Sequence, residues 1–396
     1  MTDRPGAAAA PLGGLIVADL SRVVAGPMVG MILGDLGADV IKVERPGTGD
    51  DTRSWGPPWL PGTGDDAPRR DSTYAMAVNR NKRSVTLAFD DPGDQSLARR
   101  LIARSDIVVE NFPGGTLERF GLGHERARAA HPGLIWCTIE GFGDTDEARR
   151  LPGYDLLAQA ASGLMDITGD PDGPATKVGV AVVDEMCALY GTIGVLAALN
   201  HRRATGEGQR VSVSLFDTAL AALLNQGSAH LLAGATPRRA GNDHPSITPY
   251  STYRAADRDL VIACGNDAQF ARLCSVIGLE LSSDARFATN TARVTNRHEL
   301  DALIVGALSG SPAAEWTERL LDAGVPAGAV NTVAEAYELA DRLGLEPIMA
   351  TTRPDGTRID TARSPIRLDG TPITSASAPP ALGAEDTAIR RWLSSD

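Results

Sequence analysis

Residues 15–44 read LIVADLSRVVAGPMVGMILGDLGADVIKVE. The apolar run Leu15–Leu20 predicts a short buried strand. Ala25–Leu36 spaces its apolar residues as a helix does, with Pro27 near the start, where the missing N–H leaves no helical bond unmade. Gly37 closes that helix, and the β-branched residues of Ala38–Glu44 predict a second strand. Strand, helix and strand in so short a span make a βαβ unit, which requires parallel strands.

Outward from this unit, further strands are expected at Ser84–Phe89, Asp106–Glu110 and Leu134–Ile139, with a helix at Gln95–Arg104. The head of the chain, rich in Ala, Gly and Pro, reads as flexible. A long apolar helix, Asp184–Arg203, runs into the stop signal Thr205-Gly206-Glu207-Gly208. Residues 1 to about 205 therefore read as a doubly wound α/β domain. Val211–Leu215 alternates as a strand and Asp217–Leu224 is helical. Beyond them the pattern is mixed, with a loop at Gly241–Tyr250 and a strand at Leu260–Ala263. The tail from 351 reads as extended segments and loops.

The chain has 396 residues with 38 basic and 50 acidic side chains, a net charge of −12. That balance argues against sequence-independent binding of nucleic acid but leaves room for a local basic pocket. Of the basic residues only Lys42, Lys82 and Lys177 are lysines. Cys137, Cys187, Cys264 and Cys274 form no C-x-x-C pair, so neither a zinc site nor a disulfide framework is expected. Apolar runs fall well short of the ~20 residues needed to cross a bilayer. The start, MTDRPGAAAAPLGG, lacks a signal-peptide pattern, and a cytoplasmic location is expected.

The turn after the first strand, Ser21-Arg22-Val23-Val24-Ala25-Gly26-Pro27, has no G-x-G-x-x-G, and neither a P-loop nor a G-x-S-x-G elbow occurs. Polar residues gather instead at strand ends. Lys42-Val43-Glu44-Arg45 closes the second strand, Asn79-Arg80-Asn81-Lys82-Arg83 precedes the third, and Glu110-Asn111-Phe112 closes the fourth, followed by Arg119. Ligands of open α/β sheets bind beyond the carboxyl ends of the strands, which places Arg45 and Asn111 well. Arginine and lysine suit phosphate, and phenylalanine suits stacking on a base; as solvated loop charges, the same residues would bind nothing. Asp184 opens the long helix. It can be a helix cap, or a carboxylate kept ionised by the helix dipole and free N–H groups and able to attack an activated acyl group.

Across Leu15 to about Val333 the chain resembles the family III CoA-transferases, whose relatives include α-methylacyl-CoA racemases. The resemblance rests on ADLSRVVAGP, LGDLGADVIKVERPGTGDDTR, NRNKRSVTL, DIVVENFPGGTLERFGLG, PGYDLLAQAASGLMDITGDPDGPATKVGVAVVDEMCALY, TGEGQRVSVSLFD, AGNDHPSITPYSTY and GVPAGAVNTV. It implies a large Rossmann-like domain formed by both chain ends, a smaller inserted α+β domain, and an interlocked ring-shaped homodimer. On this chain that means a large domain over 1–205, a linker over 206–225, a small domain over 226–325, and a return to the large domain over 326–396. Asp184 falls on the family's catalytic aspartate. Coenzyme A or its acyl thioester, a substrate and not a resident cofactor, would be met by Val24, Ala25, Arg45, Asn79, Asn81, Lys82, Arg83, Asn111, Phe112 and Arg119. No metal is implied. The implied chemistry runs through an aspartyl anhydride and an aspartyl-CoA thioester, with water kept out, a task for the Gly241–Tyr250 loop.

Departures from the family narrow the substrate. Formyl-CoA transferases carry Gln at Val24 and a glycine-rich tetrad where this chain has Asn242-Asp243-His244-Pro245-Ser246, so oxalate and formate lose ground to donors such as succinyl-CoA. Glu140 replaces a small residue found in many members. A racemase needs a His-Asp pair where this chain has Tyr154-Asp155, and a phenol with a pKa of about 10 is a poor base at neutral pH. A catalytically silent CoA-binding protein is the remaining alternative.

Overall fold

The structure, a computed structural model, describes residues 10–60, 71–373 and 376–395. Residues 1–9 of the expected flexible head lie outside the described residues. The opening unit forms as its pattern requires: β1 (Ile16–Asp19), α1 (Ala25–Asp35) and β2 (Asp39–Glu44). Gly37 ends α1 with a φ of +103°, and a Cβ there would sit 2.3 Å from that of Ala10, so both conformation and space call for glycine.

The chain continues through β3 (Lys82–Thr86), α2 (Pro92–Arg104), β4 (Ile107–Glu110), β5 (Ile135–Glu140), α3 (Asp155–Ala161), α4 (Val182–Thr205), β6 (Arg210–Ser214) and α5 (Leu215–Ala222). β3 begins and ends earlier than expected, because Asp91 caps α2 through the Asp94 amide and Pro92 starts that helix. The six strands form one parallel sheet in the order β3-β2-β1-β4-β5-β6. Both faces are buried, which is why these strands read as continuous apolar runs. Val17, Val40, Val109 and Cys137 pack beneath α1 and α4, while Ala18, Ile41, Val108 and Trp136 face the opposite side. α4 is long and apolar enough to cross a membrane by length and composition, yet Val183, Cys187, Gly191, Val195 and Leu199 bury one side of it.

The segment 206–225, expected as a linker carrying a strand at Val211–Leu215 and a helix at Asp217–Leu224, forms that strand and helix as β6 and α5 and belongs to the first unit. β6 pairs with β5 from Trp136–Arg210 to Glu140–Ser214, and α5 buries Leu215, Thr218 and Ala219. Among the described residues, one compact unit holds those up to Leu164, Val178–Gly234 and those from Glu346 on; the other holds Met165–Lys177 and Ala235–Leu345. The inserted portion thus starts later than 226, ends later than 325, and includes a short piece from before α4.

In the second unit β7 (Tyr250–Arg254), β8 (Asp259–Ala263) and β9 (Ala327–Ala329) form an antiparallel sheet with α6 (Asp267–Ile277), α7 (Arg297–Leu308) and α8 (Ala313–Asp322). Tyr253, Ile262, Phe270, Phe287, Leu300 and Trp316 share its core. The loop before β7 is tied down: Arg297 donates to the His244 carbonyl (2.6 Å), Asn290 to that of Ser246 (2.8 Å) and Arg293 to that of Thr248 (2.8 Å).

The tail forms a hairpin, β10 (Ile348–Thr352) and β11 (Arg358–Ala362), and a helix, α9 (Asp386–Ser394), that the loop reading of this region did not anticipate. At the edge strand β3, Glu385 accepts from the Ser84 amide (2.7 Å) and Asp386 from that of Thr86 (2.6 Å). Two carboxylates thereby cover an edge that would otherwise offer itself to another strand.

Candidate active site

In the order 3-2-1-4-5-6 the connections leave β1 in opposite directions on its two sides, which opens a crevice at the carboxyl ends of β1 and β4. A cavity of about 530 Å³ lies there, within the first unit. Arg22–Ala25 after β1, Asn111 and Phe112 after β4, and Glu140 at the end of β5 line it, with Asp184 and Tyr154.

The turn after β1 is held by side chains from elsewhere. The Asn111 amide accepts from the Arg22 N–H (2.8 Å) and donates to the Arg22 carbonyl (2.7 Å). A Cβ on Gly26 would fall 2.3 Å from that of Ser21, so the start of α1 can press against the turn only with glycine there. The Arg22 guanidinium lies over the Phe112 ring, 5.0 Å from its centre. Phe112 is oriented in turn by its amide, which donates to buried Glu110 (2.9 Å).

Asp184 is the third residue of α4, not its cap. The capping position is Ala181, which has no side chain to offer, and Asp155 from the start of α3 fills the role instead. One oxygen of Asp155 accepts from the amides of Val183 (2.8 Å) and Asp184 (3.2 Å); the other accepts from Gln159 (2.6 Å). The cap reading of Asp184 therefore falls. So does the expectation of a carboxylate kept ionised by free helix amides, because those amides already serve Asp155. Asp184 is 8% exposed, and burial together with the neighbouring Asp155 charge raises its pKa to about 7. The phenol of Tyr74 lies in the same field: burial and the charges of Asp184 and Asp155 raise it, and its ring meets that of Trp55 edge-on at 5.5 Å. The sequence reading passed over Tyr74, Trp55 and the capping role of Asp155, none of which belongs to a recognisable spacing pattern.

Five of the expected site residues line the cavity together: Val24, Ala25, Asn111, Phe112 and Asp184. The other six are placed elsewhere. Arg45 is half exposed and pairs with Asp51, itself on the cavity wall. Arg119 is exposed and donates to the Thr116 hydroxyl (3.3 Å). Asn79, Asn81 and Lys82 are buried, and their polar atoms are spent inside the protein. Lys82 Nζ donates to Asp19 (2.8 Å), the Pro27 carbonyl (2.6 Å) and Asn79 (2.9 Å), and burial lowers its pKa to about 8 against the pull of Asp19. Asn81 donates to Asp35 (2.8 Å) and accepts from the Ser377 amide (2.8 Å), while Arg83 pairs with Asp39. Basic and polar residues clustered beside strands were the signal for all of them, and such clustering does not distinguish a ligand-facing group from one that has an internal partner.

Glu140 joins a charged group at the cavity wall. Arg210 bridges it (2.8 Å) to Asp144 (2.7 Å), and Arg149 pairs with the same aspartate. Burial and Asp144 hold the Glu140 carboxyl above its usual range.

The profile of CoA-transferase family III matches residues 12–386. The chain is 40% identical to a succinate–glutarate CoA-transferase of Agrobacterium fabrum, over 98% of this chain and 97% of that one. It is 41% identical to an acetyl-CoA:oxalate CoA-transferase of Acetobacter aceti, over 83% of each. A crystal structure of a CaiB/BaiF family protein from Brucella suis matches with a TM-score of 0.86 and 42% identity, covering 97% of this chain and 99% of that one.

Proposed function

The chain belongs to CoA-transferase family III and is an enzyme of that family, and from this premise we propose that it carries CoA from succinyl-CoA, or a similar dicarboxyl-CoA, to a second dicarboxylic acid. Asp184 is the nucleophile. The observation that carries this reading is a buried carboxylate in the wall of a cavity at the sheet's switch point, on the residue to which the resemblance assigns the family's aspartate.

The ionised carboxylate of Asp184 attacks the thioester carbonyl, the C–S bond breaks, and a mixed anhydride and CoA thiolate result. The thiolate attacks the aspartyl carbonyl and releases the donor acid, leaving an aspartyl-CoA thioester. The acceptor carboxylate attacks that thioester to give a second anhydride and free thiolate. Attack of the thiolate on the acceptor's acyl carbon completes acceptor-CoA and returns Asp184. A pKa of about 7 leaves the carboxyl partly ionised at neutral pH, so one group serves as nucleophile and as leaving group.

Dicarboxylates are favoured as acceptors because the Agrobacterium relative is named for succinate and glutarate and the Acetobacter relative for oxalate. A racemase on this fold would need Asp155 beside a base, and here that carboxylate is occupied by the two α4 amides and Gln159. The homodimer fits the open side of α4, where Leu189, Ile193 and Leu196 lie exposed at helical spacing. Four free, buried cysteines suit a reducing cytoplasm.

The test is incubation with succinyl-CoA, an acid quench and intact mass with peptide mapping. A CoA-sized adduct on Asp184 that is absent from Asp184→Asn is expected. Transfer to glutarate without any such adduct would remove the covalent mechanism.

A further inference from the structure

Val23 is a β-branched residue with a φ of +69°, in the left-handed region that such side chains avoid. Its N–H donates to both carboxylate oxygens of Asp50, at 3.2 and 3.3 Å. Asp50 in turn pairs with Lys42 at 3.0 Å, and each of these side chains is 1% exposed. Lys42 also donates to the Ser21 carbonyl (3.0 Å), and Asn111 takes both peptide groups of Arg22. Three consecutive residues of the turn are thus gripped by side chains from β2, from the loop after it and from the end of β4. The next two, Val24 and Ala25, are cavity wall.

We propose that Asp50, anchored by Lys42, is a positioning residue for the acyl-CoA site: its carboxylate holds Val23 in the left-handed conformation and so sets where Val24 and Ala25 stand. This rests on the transferase reading. Neither Asp50 nor Lys42 lines the cavity, and neither touches the reacting groups. Asp50 is charged at every working pH, because its burial is overcome by Lys42 and by the Thr52 amide and hydroxyl, which hold its pKa at about 2. An uncharged or missing acceptor would leave Val23 free to relax to negative φ, and the wall would move with it. A glycine in place of Val23 adopts φ near +69° without steric cost, so it makes the clamp less necessary.

That difference supplies the test. Asp50→Asn is made in the wild-type and the Val23→Gly backgrounds, and each protein is assayed for CoA affinity by calorimetry, KM for succinyl-CoA, kcat and thermal midpoint. With Val23 present, Asp50→Asn is expected to raise Kd and KM about tenfold with a smaller fall in kcat; in the Val23→Gly background it should raise them less than about threefold. If Asp50→Asn does not fold, Asp50→Asn with Lys42→Met removes both charges together and is compared across the same two backgrounds. Equal losses in both backgrounds, or a lowered thermal midpoint with unchanged Kd, would overturn the positioning role and leave Asp50 a stabilising residue. Kd for CoA reads the wall whether or not transfer occurs. Coupling in Kd beside a wild type that transfers nothing would therefore overturn the transferase reading alone.

Discussion

Asn111 and Asn81 each stand beside charged residues at the end of a strand, yet the fold uses them in opposite ways. Asn111 lies at the crevice between β1 and β4, holds the peptide groups of Arg22 and faces a cavity. Asn81 lies before β3, takes a φ of +64°, and joins Asp35 to the Ser377 segment in the interior. The same contrast separates Arg22, which covers Phe112 at the cavity, from Lys82, which is fully buried among three acceptors. Sequence motifs mark both regions equally. What differs is where the internal bonds lie: Asn81 spends its amide joining segments in the interior, whereas Asn111 spends its amide on the turn after β1 and so shapes the wall of a crevice that can take a ligand.

The largest expected effect lies on the crevice side. Asp184→Asn should abolish transfer, to below about 10⁻³ of wild type, while remaining folded. The same substitution should stabilise the protein. A folded-state pKa raised from 3.8 to about 7 means that the stability present below pH 3.8 is lost as pH climbs through 7. Asparagine has no proton to lose, so at pH 8 the variant should gain on the order of 4 kcal/mol, read by chemical denaturation. A variant no more stable than wild type would contradict the burial argument.

Lys82→Met probes the other side. It leaves Asp19 fully buried with one cation fewer, and should cost about 3–5 kcal/mol of stability, with KM for acyl-CoA little changed in whatever protein folds. A large rise in KM without loss of stability would return Lys82 to the ligand site and break the contrast.

The pH dependence of acylation sharpens the comparison within the crevice. The rate with succinyl-CoA under single-turnover conditions should rise with pH through about 7 as Asp184 ionises. Asp155→Asn keeps an oxygen for the α4 amides but removes the neighbouring charge, so the rise should move to lower pH. An unmoved profile would leave burial as the sole cause.

The smallest effect is expected at the margin between the two regions. Arg45 is half exposed and paired with Asp51, so Arg45→Ala should raise KM for CoA esters about two- to threefold, more than it lowers kcat. An unchanged KM would remove it from the coenzyme A contacts that the resemblance implies.

Several features were legible in the linear chain because they are local. The periods of β1, α1 and β2, and the stop after α4, follow from neighbouring residues alone, and they determined the parallel α/β sheet and a long helix that begins near Asp184, at Val182. The resemblance then supplied the chemistry. Tertiary structure decided what depends on partners distant in sequence. Glu385 reaches Ser84 across 301 positions to close the sheet edge, Asp155 caps a helix 28 residues away, and β6, legible as a strand from its alternation, finds its place in the sheet beside β5. Asn81 and Lys82 were drawn inward by Asp35, Ser377 and Asp19, and Asn79 by the Ala75 carbonyl and Lys82. The reason is physical: hydrophobic periodicity is written along the chain, whereas the partner that satisfies a buried charge is set by the cost of leaving it unpaired in the folded interior.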